Sequence, residues 1–288
     1  RRSSDLQIYN SDFVNCPNWL LTEFKIGDSD FTSPLAMEEV EFLQNLNMHD
    51  AVLSREWTVK DSAGIITRIE SQRFASMDNP HYAAIRFTIV PQNYNETITI
   101  RTAIDGTVVN DGVARYRGLA NRHLAPIAAG EMDDGMFLHV ETTQSHVQIV
   151  MCAKTRIRRT GAPLETDEKV ITEEGFVARE ITFAAEKKCA YTLEKLVSIA
   201  TSRDEDTASA FDAARALMPR MSSFRALFDS HKQQWHSVWE KADMQIEGDV
   251  FTQKVIRLHI YHLLTTASIH NAHIDAGMPA RGLHGEAY

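Results

Sequence analysis

The feature that most constrains the fold is a stretch from about residue 40 to residue 200 in which segments rich in β-branched and aromatic residues alternate with turn residues. Helical periodicity is weak throughout this stretch. Many strands joined by short turns favour a large antiparallel β-sandwich. The segments predicted to be strands are 51–59, 65–77, 82–90, 97–104, 136–142, 145–154, 176–185 and 191–201.

Two short motifs predict where the chain reverses between strands. Residues Asp61–Gly64 separate two strand-like segments and indicate a hairpin turn. Asp105 and Gly106, followed by the β-branched segment Thr107–Val109, predict a second hairpin.

The pattern changes to helical near residue 204. Residues 204–217 are rich in alanine, with acidic residues early and arginine late, as the helix dipole favours, and Pro219 ends this helix. A second helix follows, and its apolar face is expected to pack a linker onto the sandwich. The residues of this face are Phe224, Leu227, Phe228, Trp235, Val238 and Trp239.

A third helix is predicted from about Asp249 to His270, with Gly277 and Pro279 as stop signals beyond it. A single helix cannot bury an apolar face alone, so we expect exposed apolar surface on it unless further chain covers it. The residues expected to line that face are Phe251, Val255, Leu258, His262 and Ile269. The predicted fold class is therefore mainly β followed by α.

Composition excludes several classes of protein. The chain has 288 residues, of which 43% are hydrophobic and 24% charged, and its net charge is −9. No concentrated basic face is present, which argues against nucleic acid and anionic membranes as partners. No apolar run approaches the ~20 residues needed to span a bilayer.

The cysteines indicate the cellular compartment. Cys16, Cys152 and Cys189 are few, odd in number and far apart. This pattern predicts unpaired, mostly buried thiols in a reducing compartment, which favours a cytoplasmic location.

The last eight residues, Arg281–Tyr288, have the sequence Arg-Gly-Leu-His-Gly-Glu-Ala-Tyr. This motif resembles the start of the catalytic barrel in glycoside hydrolase family 65, which contains the maltose, kojibiose and trehalose phosphorylases, and further segments resemble that family in order along the chain. Asn47 and Ala51 depart from the family pattern. The other matching segments are 15–20, 46–53, 78–86, 103–106, 110–116, 235–243 and 247–249.

The resemblance implies a domain order: an N-terminal β-sandwich at residues 1–203, a helical linker at residues 204–246 and, at residues 247–288, the first helix of an incomplete (α/α)6 catalytic barrel. It also implies cleavage of an α-glucosidic disaccharide with inversion. One glutamate protonates the glycosidic oxygen, and inorganic phosphate attacks the anomeric carbon from the opposite face. Phosphate is then a co-substrate, and no metal or organic cofactor is required.

The resemblance also implies which parts of the active site this chain contains. The general acid and the phosphate-binding loop would follow Tyr288, so we assign no catalytic residue in this chain and expect the fragment alone to be inactive. The expected partners are the disaccharide, phosphate, the remainder of the barrel and a second copy in a homodimer.

Four residues at the end of the chain are candidates for contact with the sugar. Glu286 and Tyr288 would hydrogen bond to and stack on a glucose unit, and His284 would reach the acceptor side. Arg281 is a further candidate for sugar contact. The alternative interpretation is that Glu286 is an ordinary carboxylate and Tyr288 a packing residue.

Other candidate groups favour structural interpretations. His259 with His262, and His270 with His273, have a spacing that can hold a metal, but the residues around them indicate core or surface histidines. A domain interface or loop is favoured over a sugar contact for the basic group Arg115, Arg117, Arg122 and His123. Trp235 and Trp239 are expected to pack the linker rather than form a carbohydrate platform.

Two classes of function remain open. The first is the front part of an inverting α-glucoside phosphorylase, or of a family hydrolase that uses water. The second is a free-standing carbohydrate-binding or scaffold module.

Overall fold

The computed structural model describes residues 14–111, 120–205 and 208–271, which form a mostly β structure with helices toward the C-terminal end. The strands are β1 Thr22–Ile26, β2 Glu38–Asn47, β3 Val52–Lys60, β4 Ile66–Ala75, β5 Tyr82–Pro91, β6 Glu96–Asp105, β7 Leu124–Met132, β8 Gly135–Thr142, β9 Gln148–Arg159, β10 Asp167–Glu173, β11 Phe176–Ala185 and β12 Tyr191–Thr201. The α-helices are α1 Ala210–Leu217, α2 Phe224–Ala242 and α3 Val250–Thr266.

The strands form two antiparallel sheets. The smaller sheet has four strands in the order β1-β6-β11-β10, and the larger has eight in the order β2-β3-β4-β5-β12-β9-β8-β7. The antiparallel sandwich predicted from the sequence is therefore confirmed.

The main core lies between the two sheets. The small sheet contributes Phe24, Ile98, Ile100, Ile181 and Phe183, and the large sheet contributes Trp57, Ile69, Phe87, Ile89 and Leu193. Burial of each such side chain stabilises the fold by roughly 1.5–3 kcal/mol. The contact between the sheets is therefore the principal source of stability.

A second core covers the opposite face of the large sheet. Leu196 of β12 packs there with Phe74, beneath Ala214 of α1 and Phe224 of α2. Because Leu193 of the same strand faces the core between the sheets, β12 is buried on both faces. Consecutive residues of this strand, from Leu193 to Ser198, are therefore all buried, polar ones included.

A lysine is also buried in the interior of the sandwich. Lys195 on β12 is 1% exposed, and its Nζ donates hydrogen bonds to the carbonyl oxygens of Trp19 at 2.6 Å and Ala103 at 2.5 Å. Burial lowers the pKa of Lys195 to about 7. The side chain thus joins the large sheet to β6 of the small sheet and to the segment before β1.

The first turn prediction is confirmed and the second is wrong. Asp61 Oδ1 accepts the backbone N–H groups of Ala63 and Ile65, and Gly64 has a φ of 81°, which closes the β3–β4 hairpin. The described residues directly after Gly106, residues 107–111, form no strand. A Cβ at this glycine would lie 2.9 Å from a Val140 methyl group, so the glycine serves close packing rather than a hairpin.

The helix boundaries differ from the prediction at both ends. The first helix begins at Ala210 rather than near residue 204, because the Ser209 hydroxyl caps it and Asp204 instead closes a turn onto Thr201. The third helix ends at Thr266, and a short 3-10 turn follows at Ile269–Asn271.

The side of α3 expected to be its apolar face is not the side that packs. Ile260, Tyr261 and Leu264 pack against the buried cluster that contains Trp235 and Trp239, whereas Phe251 is 75% and Ile269 60% exposed. The side of α3 that packs is the one that faces Trp235 and Trp239 of α2. α3 also has apolar residues on a second side. The expectation of exposed apolar surface is confirmed, because none of its residues is buried.

The cysteine prediction holds in part. All three thiols are unpaired, but only Cys152 is buried, Cys189 is partly buried and Cys16 is exposed. The expectation of mostly buried thiols is wrong because Cys16 lies in the extended segment before β1. Among the described residues, no helix is long and apolar enough to cross a membrane.

Candidate functional site at the junction of linker and sandwich

The junction between α2 and the sandwich is organised around one buried histidine. His231 is 1% exposed and lies between the β2–β3 turn and the loop before β5. The backbone N–H of Met77 donates to its Nδ1 at 3.0 Å. Nε2 lies 3.0 Å from the carbonyl oxygen of Asp50 and 3.2 Å from that of Ala51.

These partners fix the tautomer of His231. An amide N–H can only donate, so Nδ1 must be unprotonated, and the carbonyl oxygens can only accept, so Nε2 carries the proton. Burial lowers the pKa of His231, and the carbonyls of Ala51 and Asp50 offset this only in part. The neutral ring therefore holds α2 to two separate segments of the sandwich.

The tryptophans of α2 extend the junction toward α3. Trp239 Nε1 donates to the carbonyl oxygen of Met48 at 2.8 Å. The Trp235 ring stacks on Tyr261 of α3 with centroids 5.2 Å apart. Both tryptophans are buried, at 2% and 6% exposure, which confirms that they pack the linker and do not form an open carbohydrate platform.

A cavity of about 430 Å³ opens beside this junction. Its polar lining includes Arg73, Ser76, Thr265, His270 and Asn271, and its aromatic lining includes Trp19, Trp235 and Tyr261. His270 is held there, because its Nε2 lies 2.8 Å from the carbonyl oxygen of Met77.

This cavity combines aromatic and polar groups, but its lining contains no carboxylic acid among the described residues. Burial, together with the nearby Arg55, lowers the pKa of the Arg73 guanidinium. Aromatic faces and fixed polar groups are the usual components of small-molecule pockets. No carboxylate from the described residues lines the cavity, so those residues offer no general acid for a glycosidic bond there.

The four predicted sugar-contact residues, Arg281, His284, Glu286 and Tyr288, lie outside the described residues. So do Arg115, Arg117 and His273. His259 and His262 lie on the exposed side of α3, in agreement with the interpretation of surface histidines. The sugar-contact assignments remain predictions.

A different histidine cluster was missed by the sequence analysis. His49, Asp50 and His236 have potential metal-ligand atoms within 4.8 Å of one another. Among the described residues, this is the group of three or more such side chains that could hold a metal ion. His49 and Asp50 lie 186 or more residues from His236 in sequence, so no spacing rule reveals the cluster. Burial opposes ionisation of Asp50, but hydrogen bonds from His236 and His49 outweigh it and lower the pKa of that carboxyl.

Comparison with protein families identifies the class of this chain. The model described as the N-terminal domain of glycosyl hydrolase family 65 matches residues 2–238. This chain therefore belongs to glycosyl hydrolase family 65, as its motifs indicate.

Curated relatives and a solved structure agree with this assignment. An uncharacterized glycosyl hydrolase of Mycobacterium tuberculosis is 32% identical over 97% of this chain and 21% of its own length. A kojibiose phosphorylase of Caldanaerobacter subterraneus subsp. tengcongensis is 29% identical over 96% of this chain and 36% of its own length. An α,α-trehalose phosphorylase of Thermoanaerobacter brockii is 27% identical over 87% of this chain and 34% of its own length.

A solved human-microbiome structure named for kojibiose phosphorylase superposes with a TM-score of 0.76 over 88% of this chain and 32% of its own. At 14% identity this similarity shows the fold alone. The chain thus spans 21% to 36% of the length of these three curated relatives.

Proposed function

We infer that this chain is the N-terminal part of an inverting α-glucoside phosphorylase that cleaves a glucose disaccharide with inorganic phosphate. The observation that carries the proposal is the family 65 N-terminal domain match, together with relatives named kojibiose and trehalose phosphorylases that align over most of this chain. The substrates are an α-glucosidic disaccharide and phosphate.

The proposed reaction explains why the described residues need no acid–base pair. An inverting hydrolase places two carboxylates roughly 6.5–9.5 Å apart so that a water fits between base and sugar. Phosphate is already a nucleophile, so a phosphorylase replaces the base with a positively polarised anion pocket. We place the glutamate general acid and that pocket downstream of Tyr288. No metal or organic cofactor takes part in the reaction.

In this proposal α3 is the first helix of the (α/α)6 barrel. Its exposed residues, which include Val250 at 74% and Leu263 at 54% exposure, then pack against barrel helices that follow. Glu286, Tyr288, His284 and Arg281 border the sugar site. We propose that the complete enzyme is a cytoplasmic homodimer.

A hydrolase is the second candidate, since the Mycobacterium tuberculosis relative is named a glycosyl hydrolase. A binding or scaffold module is a third, and the exposed apolar side of α3 argues against it, because a free-standing module does not need that surface.

The test uses the complete protein with kojibiose, maltose, nigerose and trehalose, each with and without phosphate. The proposal predicts glucose 1-phosphate from at least one disaccharide, and only when phosphate is present. Free glucose formed at the same rate without phosphate would support the hydrolase, and no turnover of any of the four would count for the binding module.

A further inference from the structure

The cluster of His49, Asp50 and His236 lies where the β2–β3 turn meets α2. His236 Nε2 is 2.7 Å and His49 Nδ1 is 3.2 Å from the same carboxylate oxygen, Asp50 Oδ1. The two imidazole centroids are 4.0 Å apart. Two imidazole nitrogens and one carboxylate oxygen therefore lie within 4.8 Å of one another.

We propose that this cluster is a zinc-binding site that fastens the linker to the sandwich. Zinc binds imidazole nitrogen and carboxylate oxygen at about 2.0–2.2 Å, so neighbouring ligands of a tetrahedral ion are about 3.3 Å apart. The 3.2 Å separation between His49 and Asp50 is close to that value, and the 2.7 Å separation between His236 and Asp50 is about 0.6 Å shorter, so His236 must move slightly away from Asp50 when an ion binds.

The ligand set selects the kind of ion. Magnesium and calcium require mainly oxygen ligands, six or more in the case of calcium, which this cluster does not offer. Imidazole with a single carboxylate suits zinc and similar first-row ions. Each neutral imidazole can adopt the tautomer in which the nitrogen facing the ion is unprotonated and can bind it. With three protein ligands, one position of a tetrahedral ion remains for water.

The turn that carries two of the ligands is held in a fixed conformation. Asn47 Oδ1 accepts the backbone N–H groups of His49 and Asp50, each at 3.1 Å. Asn47 Nδ2 donates to Asp50 Oδ2 at 2.9 Å, which orients the other oxygen toward the histidines. Ala51, buried directly after them, has a φ of 49°, a strained value for a non-glycine residue. Asn47 is therefore a positioning residue for the site.

The helix that carries His236 is fixed independently of the cluster. His231 contacts the Asp50 and Ala51 carbonyls, and Trp239 donates to the Met48 carbonyl. These bonds lie on either side of His236 along α2. The ligands are thus preorganised before an ion binds, which reduces the cost of ordering the site.

An ion can reach the cluster from solvent. The side chain of His49 is 65% exposed, that of His236 37% and that of Asp50 24%. His49 and His236 also line a polar cavity of about 800 Å³ that includes Glu240 and Asp243. A bound ion would link residues 186 positions apart in sequence. This role is structural and lies outside the proposed reaction, which needs no metal.

The test is calorimetric titration of zinc into the complete, chelator-treated protein, followed by cobalt substitution and a visible ligand-field spectrum. We expect saturable zinc binding that magnesium does not displace, and a rise in unfolding temperature with zinc concentration. His49→Gln and His236→Gln should each remove this binding, and Asn47→Ala should weaken it about 10- to 100-fold.

The matched control is His146→Gln. His146 lies 2.8 Å from Glu141 on the surface and has the same histidine–carboxylate contact without a third ligand. This variant should bind zinc as the wild type does. His49→Gln keeps the core intact because His49 is exposed, and circular dichroism checks its folding. The proposal would be overturned if the wild type did not bind zinc. It would also be overturned if His49→Gln and His236→Gln both bound zinc as the wild type does.

Discussion

Helices α2 and α3 are of similar length and both carry aromatic and aliphatic residues, yet they differ in how deeply these residues are buried. α2 buries Phe224, Leu227, His231, Trp235 and Trp239 against the sandwich. α3 buries none of its residues. The partners of α2 are within the described chain, whereas one side of α3 has no partner among the described residues. An apolar pattern thus shows that a helix needs a partner, and only the structure shows whether the partner is present.

The strongest test of this contrast is the same substitution in both regions. Phe183→Ala removes a ring that is 3% exposed and stacked 4.7 Å from Tyr191, and should cost about 3–5 kcal/mol of unfolding free energy. Phe251→Ala on α3, where the ring is 75% exposed, should change it by less than about 0.5 kcal/mol in residues 1–288. Urea denaturation measures both. Equal losses would remove the distinction between the two regions.

The next largest effect is expected at the junction. His231→Leu leaves the Met77 N–H and the Asp50 and Ala51 carbonyls without their partner, and each buried unpaired group costs about 1–3 kcal/mol. We expect a total loss of at least about 3 kcal/mol in thermal or urea unfolding. His259→Leu on the exposed side of α3 is the control and should be near neutral. A neutral His231→Leu would show that the ring does not hold α2 in place.

The pH dependence of the unfolding free energy tests the same role of His231. The pKa of His231 lies below its ordinary value of 6.5 in the folded protein, so the unfolded chain binds this proton more readily. Stability from this group is therefore complete above pH 6.5 and falls as the pH drops from there toward the lowered pKa. Nearby Asp50 and Asp78 favour protonation but do not outweigh burial.

The measurement compares unfolding free energies of the wild type and His231→Gln between about pH 7 and pH 5. The wild type should lose stability over this interval, and the difference between the two proteins should shrink. Parallel curves would contradict the assignment of a neutral, buried imidazole.

The smallest effect is expected where α3 is attached to the end of α2. Arg257 donates to both carboxylate oxygens of Asp243, at 2.8 and 2.6 Å, but the side chains are 39% and 26% exposed. Asp243→Asn should cost about 0.2–1 kcal/mol, and less in high salt. A loss that is several times larger and independent of salt would mean that α3 is held mainly by this pair.

The interior of the fold was predictable from the sequence and its edges were not. The eight strands predicted from the sequence correspond to β3, β4, β5, β6, β8, β9, β11 and β12. The four strands that were missed, β1, β2, β7 and β10, are the outer strands of the two sheets. An outer strand has a neighbour on one side only and is often charged or interrupted, as in the exposed β2 and in β7 with its Pro126. The apolar pattern therefore weakens where burial does.

The candidate site was less predictable than the fold. The family, the linker and the packing role of Trp235 and Trp239 follow from local motifs and helical spacing. His231 and the cluster around Asp50 depend on contacts between residues about 180 positions apart, which no local pattern records. The predicted sugar contacts at residues 281–288 remain untested predictions.

The central claim is that the exposed side of α3 is covered by barrel helices in the complete enzyme. The most direct measurement is the rate of maleimide labelling of Leu263→Cys in the complete folded protein, compared with Ile127→Cys on β7. The two positions are similarly exposed in the chain described here, at 54% and 49%. If barrel helices cover this side of α3, the cysteine at position 263 is strongly protected while the one at position 127 reacts freely. Equal reactivity at both positions would contradict it.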